Sequence, residues 1–283
     1  MVQFDDLNHD SALNILKSKT PDSILEYYNK PYVVPEEKIK FYEENGFVVL
    51  KKLLNGFPLT HTNKIIRAAV LLRKEEDKRT FPEKTPYEQS FLQCGFLCWD
   101  YPAVKDYVFG KRFAGIANQL MRSKGIRLWH DQALFKEGNG RFTPVHQDGS
   151  YWPISNPEQA TTMWMALNNV SIKKGCLYFY PGSQNWDREY VDIFKNPHEP
   201  EKVKENKKIY TPLAAGDATF HSGLTFHGAE KNQTDKMREG MTVIYIADGN
   251  MFDASDERNA THKSCEGLKD KDIIKTNYTP KLV

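Results

Sequence analysis

The spacing of apolar and polar positions changes character near residue 125, from helical periodicity before it to strand-like alternation after it. Before that point, apolar residues recur three and four positions apart, as in helices that bury one face. This spacing predicts helices over 36–44, 61–79 and 103–123, with a short buried strand at 47–50. Residues 1–124 are therefore expected to be mainly helical and to pack on whatever sheet the rest of the chain forms.

After Gly125, short runs rich in β-branched and aromatic residues are separated by glycine, proline and asparagine, which is typical of strands joined by turns. Predicted strands are 126–136, 161–170, 177–180, 209–212, 218–221 and 241–247. The polar, lysine-rich stretch 187–208 interrupts them, and we interpret it as a candidate lid insertion or as a solvated loop. We expect 125–248 to be a β core and 249–283 to be a polar, loosely packed tail.

Composition limits the classes of protein that fit. The 283 residues are 40% hydrophobic, which is enough for one sizeable core, so a single domain over 1–283 is expected. The 39 basic and 37 acidic side chains nearly cancel, unlike the basic surface of a nucleic-acid-binding protein. No run approaches the ~20 apolar residues that a membrane span needs. We expect a cytoplasmic monomer with no nucleic-acid or membrane partner, and its four cysteines to be buried thiols.

His146 and Asp148 are the first candidate for chemistry. Residues two apart on an extended backbone project from the same face, so this pair can present an imidazole and a carboxylate together. A second imidazole from His221 or His227 would complete a site of two histidines and one carboxylate. That set leaves coordination positions open and is the one used by non-haem Fe(II) oxygenases. An isolated histidine is more often a structural residue, so the pair alone is weak evidence.

Arg238 strengthens this interpretation. It lies eleven residues after His227 and just before the predicted strand 241–247. A guanidinium binds a carboxylate through two parallel hydrogen bonds, and a keto acid that chelates a metal has a distal carboxylate to be bound.

The ordered set of motifs resembles the phytanoyl-CoA dioxygenase family of Fe(II)/2-oxoglutarate-dependent dioxygenases. The matching pieces are Phe41 to Leu50, His146-Gln-Asp148, Trp164 to Asn168, Gly175 to Ser183, Gly216-Asp217, His227 and Arg238. The resemblance implies a mainly β fold with flanking helices, a double-stranded β-helix or jelly-roll barrel of the cupin type. It also implies the cofactor Fe(II), the cosubstrates 2-oxoglutarate and O2, and oxidation of a C–H bond by hydroxylation, desaturation or cyclisation, with succinate and CO2 as coproducts.

The same resemblance assigns site residues. It implies that His146, Asp148 and His227 bind the metal and are catalytic, and that Arg238 binds the distal carboxylate of 2-oxoglutarate. Trp164, Gln132 and Lys136 are candidates for the wall of the cosubstrate pocket, although a core tryptophan and two solvent-facing polar residues are equally compatible with the pattern. We favour His227 over His221 because the family spacing to the arginine matches only from His227. His221 is then expected to orient a ligand or to line the pocket.

The substrate is the least determined part. Tyr151, Trp152, Trp99 and Arg188 are candidate contacts, and aromatic walls with a basic group would suit a small carboxylate-bearing molecule of specialised metabolism. The same residues would also fill a barrel mouth. Two other functions stay open: a catalytically silent jelly-roll binding protein, and a cupin-type metalloenzyme that does not use 2-oxoglutarate. The chain departs from the family at Ala229, where a hydroxyl side chain is usual, and at Gln184, where histidine is frequent.

Overall fold

The computed structural model describes residue 4, residues 6–255 and residues 262–283. Its helices, in chain order, are α1 His9–Lys17, α2 Asp22–Asn29, α3 Glu36–Asn45, α4 Gly56–Lys74, α5 Pro86–Ser90, α6 Leu97–Asp100, α7 Pro102–Val108, α8 Lys111–Leu120 and α9 Glu201–Lys204. Its strands are β1 Phe47–Leu50, β2 Leu92–Gly95, β3 Ile126–Phe135, β4 Thr143–His146, β5 Ala160–Ala166, β6 Leu177–Phe179, β7 Ile209–Tyr210, β8 Ala218–Ser222, β9 His227–Ala229 and β10 Gly240–Ala247.

Two antiparallel sheets form the β core. One has six strands in the order β1-β8-β5-β10-β3-β2, and the other has four in the order β4-β9-β6-β7. Neighbours in space are rarely neighbours in the chain, so both sheets depend on long crossovers, as jelly-roll topology requires. The predicted fold class is confirmed: the protein is a jelly-roll of two sheets with flanking helices.

The N-terminal helices pack outside the six-stranded sheet. Their apolar faces and one side of β3, β5, β8 and β10 share one cluster of buried residues. The predicted helix 36–44 and strand 47–50 are confirmed as α3 and β1, joined at Gly46, whose φ of 77° is a conformation that glycine adopts without strain. Helices α1 to α8 all lie before residue 125.

The predicted helix 103–123 is wrong in its continuity. It is broken into α7 and α8 at Gly110, which begins α8 as its N-terminal cap residue. A Cβ atom at Gly110 would lie 2.9 Å from the carbonyl oxygen of Tyr28, so α2 approaches the chain too closely there for any side chain. A contact with a distant helix therefore ends α7, and helical periodicity alone does not reveal it.

The strand predicted at 161–170 is also too long. β5 ends at Ala166, and Leu167 then bonds to the backbone carbonyl of Glu239, while Val170 forms an isolated bridge with Leu213. The remaining predicted strands are present, with ends that differ by one or two residues.

The expected loose packing of the C-terminal tail is wrong for the residues described. Ile274 and Thr279 are fully buried, and the amide of Leu282 donates to the carbonyl of Ile126 at the edge of β3. Residues 256–261 of this tail lie outside the described residues. Polar composition misled the prediction, because a few apolar side chains and backbone hydrogen bonds are enough to dock a segment.

All four cysteines are buried free thiols, as predicted. Among the described residues, no helix combines the length and the apolar composition that crossing a membrane requires.

Candidate active site

The two sheets bring His146, Asp148 and His227 together at one end of the core. His146 is the last residue of β4, His227 is the first of β9, and the two are direct partners across this antiparallel pair. Gln147 keeps the chain extended, so Asp148 follows on the same side as His146 and opens a short 3-10 turn. One ligand-type atom from each of the three side chains lies within 4.8 Å of the others. The structure thus places the predicted metal triad in one cluster.

The orientation of the two imidazoles suits a metal. Nδ1 of His146 lies 2.8 Å from the backbone oxygen of Pro144, and Nδ1 of His227 lies 3.0 Å from that of Thr225. A carbonyl oxygen can only accept, so both Nδ1 atoms carry the proton, and each Nε2 keeps a lone pair. These Nε2 atoms lie 3.4 Å and 3.7 Å from Oδ1 of Asp148. Three electron-donating atoms therefore converge on one point.

The other oxygen of Asp148 is held by the protein. Oδ2 accepts from the hydroxyl of Thr162 at 2.8 Å and lies 3.3 Å from Nε2 of His221. Burial opposes ionisation of this carboxyl group, but the positive charge that the imidazoles of His227, His146 and His221 carry at low pH outweighs it and holds its pKa well below the usual value. Asp148 is thus anionic, with one oxygen fixed and the other directed at the triad.

Burial, together with the neighbouring imidazoles of His146 and His221, holds the pKa of His227 well below its usual value. A neutral imidazole is the form that binds a metal. His221 is 1% exposed and contacts the carboxylate of Asp148, so the structure places it behind the triad as a support.

Gly228 permits the close strand pairing next to the triad. A Cβ atom there would lie 2.6 Å from the hydroxyl oxygen of Tyr178 and 2.9 Å from the backbone oxygen of Thr143. Any larger residue would push β9 away from β4 and β6, and with it His227 away from His146.

Arg238 is a buried cation close to this cluster. Its side chain is 2% exposed; Nη1 donates to the carbonyl of Gly175 at 2.7 Å, whereas Nε has no partner in the part of the chain that the structure describes. The guanidinium lies 5.3 Å from the ring of Trp164, and burial lowers its pKa to about 10. No carboxylate of the described residues lies within ion-pair distance of it. A buried arginine without an acidic partner among the described residues can hold an external anion.

Trp164 is fixed in place by a glycine. A Cβ atom at Gly240 would lie only 2.2 Å from Cζ2 of the indole, so the ring fills the space that a side chain would take. Trp164 lines the same cavity as Arg238.

The other two predicted cosubstrate residues, Gln132 and Lys136, lie in different surroundings. Gln132 lines the cavity and accepts a hydrogen bond from Gln93. Lys136 is fully buried and does not line it; its amine donates to the carbonyl of Arg141 and to the hydroxyl of Thr143. Burial and the nearby Arg238 hold the pKa of Lys136 well below its usual value.

A cavity of about 300 Å³ contains the triad and Arg238. Much of its wall is made of six aromatic side chains, hereafter the aromatic group: Tyr87, Phe91, Phe96, Tyr151, Trp152 and Phe194. Sequence reasoning missed Tyr87, Phe91, Phe96 and Phe194. They come from the α5–β2 region and from the 187–208 insertion, and no local motif places them at the site.

Two of the four predicted substrate contacts lie in this wall, and two do not. Tyr151 and Trp152 line the cavity. Trp99 lies outside the lining and packs against Phe109 and Tyr278. Arg188 is exposed, and its guanidinium donates to the backbone oxygens of Gly149 and Trp152.

His130 lines the cavity on the same face of β3 as Gln132 and Leu134, next to an irregularity in the strand. Ile244 pairs with His130 but Tyr245 pairs with Leu128, which leaves Trp129 as an extra residue. Such a bulge changes the direction of side chains. The rings of Trp129 and His130 both lie 6.5 Å from that of Trp152, so two consecutive residues face the same side. Alternation along β3 accounts for the position of His130, but the bulge at Trp129 is not visible in the sequence.

The chain was compared with known proteins, and it matches one family. The family model described as Phytanoyl-CoA dioxygenase (PhyH) matches residues 42–240. The peroxisomal phytanoyl-CoA dioxygenase of Bos taurus is 23% identical over 273 residues, covering 86% of this chain and 77% of that protein. The phytanoyl-CoA dioxygenase of Arabidopsis thaliana is 26% identical over 264 residues, covering 83% and 91%.

Among solved structures, the non-haem alpha-ketoglutarate-dependent carbocyclase SnoK from nogalamycin biosynthesis has a TM-score of 0.74 at 23% identity, with 90% of this chain and 100% of that chain covered. At this identity the likeness shows the shared fold. The family model, in contrast, matches well over half of this chain. The protein therefore belongs to the phytanoyl-CoA dioxygenase family.

Proposed function

We propose that the protein is a non-haem Fe(II)- and 2-oxoglutarate-dependent oxygenase that oxidises a C–H bond of a small molecule. The observation that carries the proposal is one cavity that holds both a His-Asp-His cluster and a buried arginine without an acidic partner. The two parts fit the two ends of a chelating keto acid, and family membership supports the same reading.

The triad fits iron on its own chemistry. Nε2 of His146, Nε2 of His227 and one oxygen of Asp148 would hold the metal, because their other polar atoms are already bonded to the protein. Two nitrogens and one carboxylate oxygen on one side leave the opposite positions to other ligands. The backbone partners of the imidazoles and the Thr162 bond to Asp148 would fix the ligands before the metal arrives.

Arg238 would bind the distal carboxylate of 2-oxoglutarate. Its unpartnered Nε and its depressed pKa both reflect a charge that burial has left uncompensated, and a carboxylate would compensate it through two parallel hydrogen bonds. Trp164 would lie beside the carbon chain of the keto acid. A cupin-type metalloenzyme that does not use 2-oxoglutarate has no use for such a cation.

Iron with a bound keto acid supplies O2 activation, in which 2-oxoglutarate is converted to succinate and CO2 while the substrate is oxidised. The chain's own residues position the reactants and exclude water. The aromatic group closes the cavity with apolar surface, and Asp148, held by Thr162 and His221, keeps a fixed negative charge at the metal position.

The proposed reaction is hydroxylation, desaturation or cyclisation of a small molecule. SnoK is named as a carbocyclase and SnoN, which is also 23% identical, as an epimerase of nogalamycin biosynthesis. These names support a role in specialised metabolism. The carboxylate-bearing substrate expected from the sequence depended on Arg188, which does not line the cavity.

The insertion 187–208 would act as a cover over the substrate. Ile193 and Phe194 line the cavity, and the carbonyl of Val191 accepts from the hydroxyl of Tyr151. We propose that residues 1–283 form a single domain, with this insertion as its lid.

The direct test is anaerobic addition of Fe(II) and 2-oxoglutarate, followed by visible absorbance and by succinate release in air. An absorbance band that needs both components, with slow succinate formation, is the expected result. Protein that binds neither would be a silent jelly-roll, and protein that binds iron but not 2-oxoglutarate would be a cupin-type metalloenzyme. Either outcome would contradict the proposal.

A further inference from the structure

The aromatic group and the residues beside it form a compartment in which three hydroxyl groups are bonded to the protein. The hydroxyl of Tyr151 donates to the carbonyl of Val191, and the hydroxyl of Tyr87 donates to Oε1 of Gln93 at 2.7 Å. Thr162 is bonded to Asp148. These hydroxyls are therefore engaged by the protein, and what they present to the cavity is mainly the apolar surface around them.

His130 is one of four cavity-lining side chains that keep a nitrogen without a partner among the described residues; the others, Trp164, His221 and Arg238, lie beside the metal triad and the cosubstrate position. The His130 side chain is buried, and its unpartnered atom is Nδ1. The imidazole lies 5.5 Å from the ring of Phe96, nearly parallel to it, and 6.5 Å from that of Trp152. A buried polar group without a partner is costly, so a ligand oxygen that bonded to this imidazole would be stabilised there.

A second polar group faces the same space. Gln93 donates to Oε1 of Gln132, which leaves the amide NH2 of Gln132 as a donor with no partner among the described residues. Gln132 lines the cavity and is two residues from His130 on β3. An imidazole and an amide donor can together recognise a hydroxyl or carbonyl oxygen.

No cation is available to pair with an anionic substrate. Of the cavity-lining side chains in the described part of the chain, Arg238 alone is a lysine or arginine, and 2-oxoglutarate would occupy it. Lys263 lies 5.4 Å from the ring of Phe96, but it lines the adjoining pocket instead. Burial and the neighbouring His262 also hold the pKa of His130 well below its usual value, so this imidazole is neutral.

We infer that the substrate is an uncharged, largely apolar molecule bearing a hydroxyl or carbonyl oxygen, and that His130 recognises this oxygen through a hydrogen bond. This inference rests on the proposed function, since it assigns Arg238 to the cosubstrate. It replaces the carboxylate-bearing substrate with a neutral one, because an unpaired carboxylate buried among aromatic rings carries a large desolvation cost.

The test uses four probes of one ring system with the protein loaded anaerobically with Fe(II) and 2-oxoglutarate: 2-naphthol, 2-acetonaphthone, naphthalene and 2-naphthoate. Binding is measured by calorimetry near neutral pH, and the absorbance of the loaded site is recorded first. We expect 2-naphthol and 2-acetonaphthone to bind at least ~100-fold more tightly than 2-naphthoate, given the cost of burying an unpaired charge.

His130→Phe keeps an aromatic ring and removes both nitrogens. It should weaken 2-naphthol and 2-acetonaphthone ~5-fold, the value of one hydrogen bond, and leave naphthalene unchanged. His61→Phe is the matched control, because His61 also has a ring nitrogen without a partner but lies outside the cavity lining. If His130→Phe lowers the melting temperature, His130→Asn serves instead. Because asparagine keeps a polar group, this variant should weaken 2-naphthol binding less than apolar replacements of His130 do.

Tighter binding of 2-naphthoate than of 2-naphthol, with the absorbance band of the loaded site present, would overturn the inference and leave the proposed function standing. Equal effects of His130→Phe on naphthalene and 2-naphthol would also overturn it, since the residue would then only shape the wall. Failure of the absorbance band would contradict the proposed function itself and this inference with it.

Discussion

The imidazole of His221 lies against the carboxylate of Asp148, with 3.3 Å between Nε2 and Oδ2. Because a carboxylate oxygen accepts hydrogen bonds, Nε2 of His221 carries the proton and donates to Oδ2. The other oxygen, Oδ1, faces the imidazoles of His146 and His227. His221 therefore orients a metal ligand, whereas His227 directs its own Nε2 toward Oδ1 at 3.7 Å.

The two histidines should respond differently to the same substitution. His221→Asn should retain bound Fe(II) with an affinity lower by about 10-fold to 100-fold and with partial activity, since partners of ligands have effects of that size. His227→Asn should lose iron and activity together. Iron content after reconstitution and 2-oxoglutarate turnover measure this, and iron retained by His227→Asn but lost by His221→Asn would reverse the assignment.

Replacing any triad member by alanine should abolish iron binding and keep the fold. His146→Ala, Asp148→Ala and His227→Ala each remove one of three converging donors, whereas the jelly-roll core consists of other side chains. Iron stoichiometry and far-UV circular dichroism are the measurements. The exposed His198 provides the control, because His198→Ala removes only a surface contact with Glu189. Full activity of Asp148→Ala would refute the metal site.

Arg238→Leu should raise the concentration of 2-oxoglutarate needed for half-maximal turnover. The corresponding concentration of the primary substrate should rise far less. Loss of a buried charge-assisted pair costs about 2–5 kcal/mol, which is a factor of tens to thousands in affinity. Arg122→Leu is a suitable control, since Arg122 is a surface arginine paired with Glu36 and Glu43. An equal loss for both ligands, together with a lower melting temperature, would indicate a folding defect instead.

Asp131 should make stability depend on pH. Its carboxylate accepts from the amides of Leu97 and Cys98, and burial raises its pKa to about 6. A carboxyl group whose pKa is raised on folding binds its proton more readily in the folded state. It therefore contributes stability that is complete below the unfolded pKa near 4 and is lost as the pH rises through about 6.

Urea unfolding of the wild type and of Asp131→Asn measures this contribution. Between about pH 7.5 and about pH 5, the wild type should gain about 1 kcal/mol relative to the variant. Asp22→Asn, which removes an exposed carboxylate paired with Lys19, should follow the wild type. Parallel curves for the wild type and Asp131→Asn would disprove the role of Asp131.

The sequence pattern was sufficient to predict features whose geometry depends on residues close together in the chain. His146 and Asp148 share a side because one extended residue separates them, and the turn at Gly46 follows from an Asn-Gly pair. The choice of His227 required the family spacing, because its pairing with His146 joins distant parts of the chain. Arg188 and Trp99 were misplaced for the opposite reason: residue type suggested a role, but tertiary contacts direct both away from the cavity.

The bulge at Trp129 and the insertion residue Phe194 could not be read from the sequence at all. A bulge is defined by the register of two strands that are far apart in the chain. Phe194 reaches the cavity through its contacts with Tyr87 and Tyr151, which belong to other segments.

The pairing of Leu282 with Ile126 has a consequence for synthesis. On the ribosome, β3 emerges long before β10 and before residues 281–283, which bond to the start of the same strand. The parts of β3 that β2 does not pair therefore wait, with open backbone groups and apolar side chains, until β10 and residues 281–283 have been translated. We expect nascent chains shortened before residue 280 to remain bound by chaperones and protease-sensitive, although every predicted metal ligand would already be present in them.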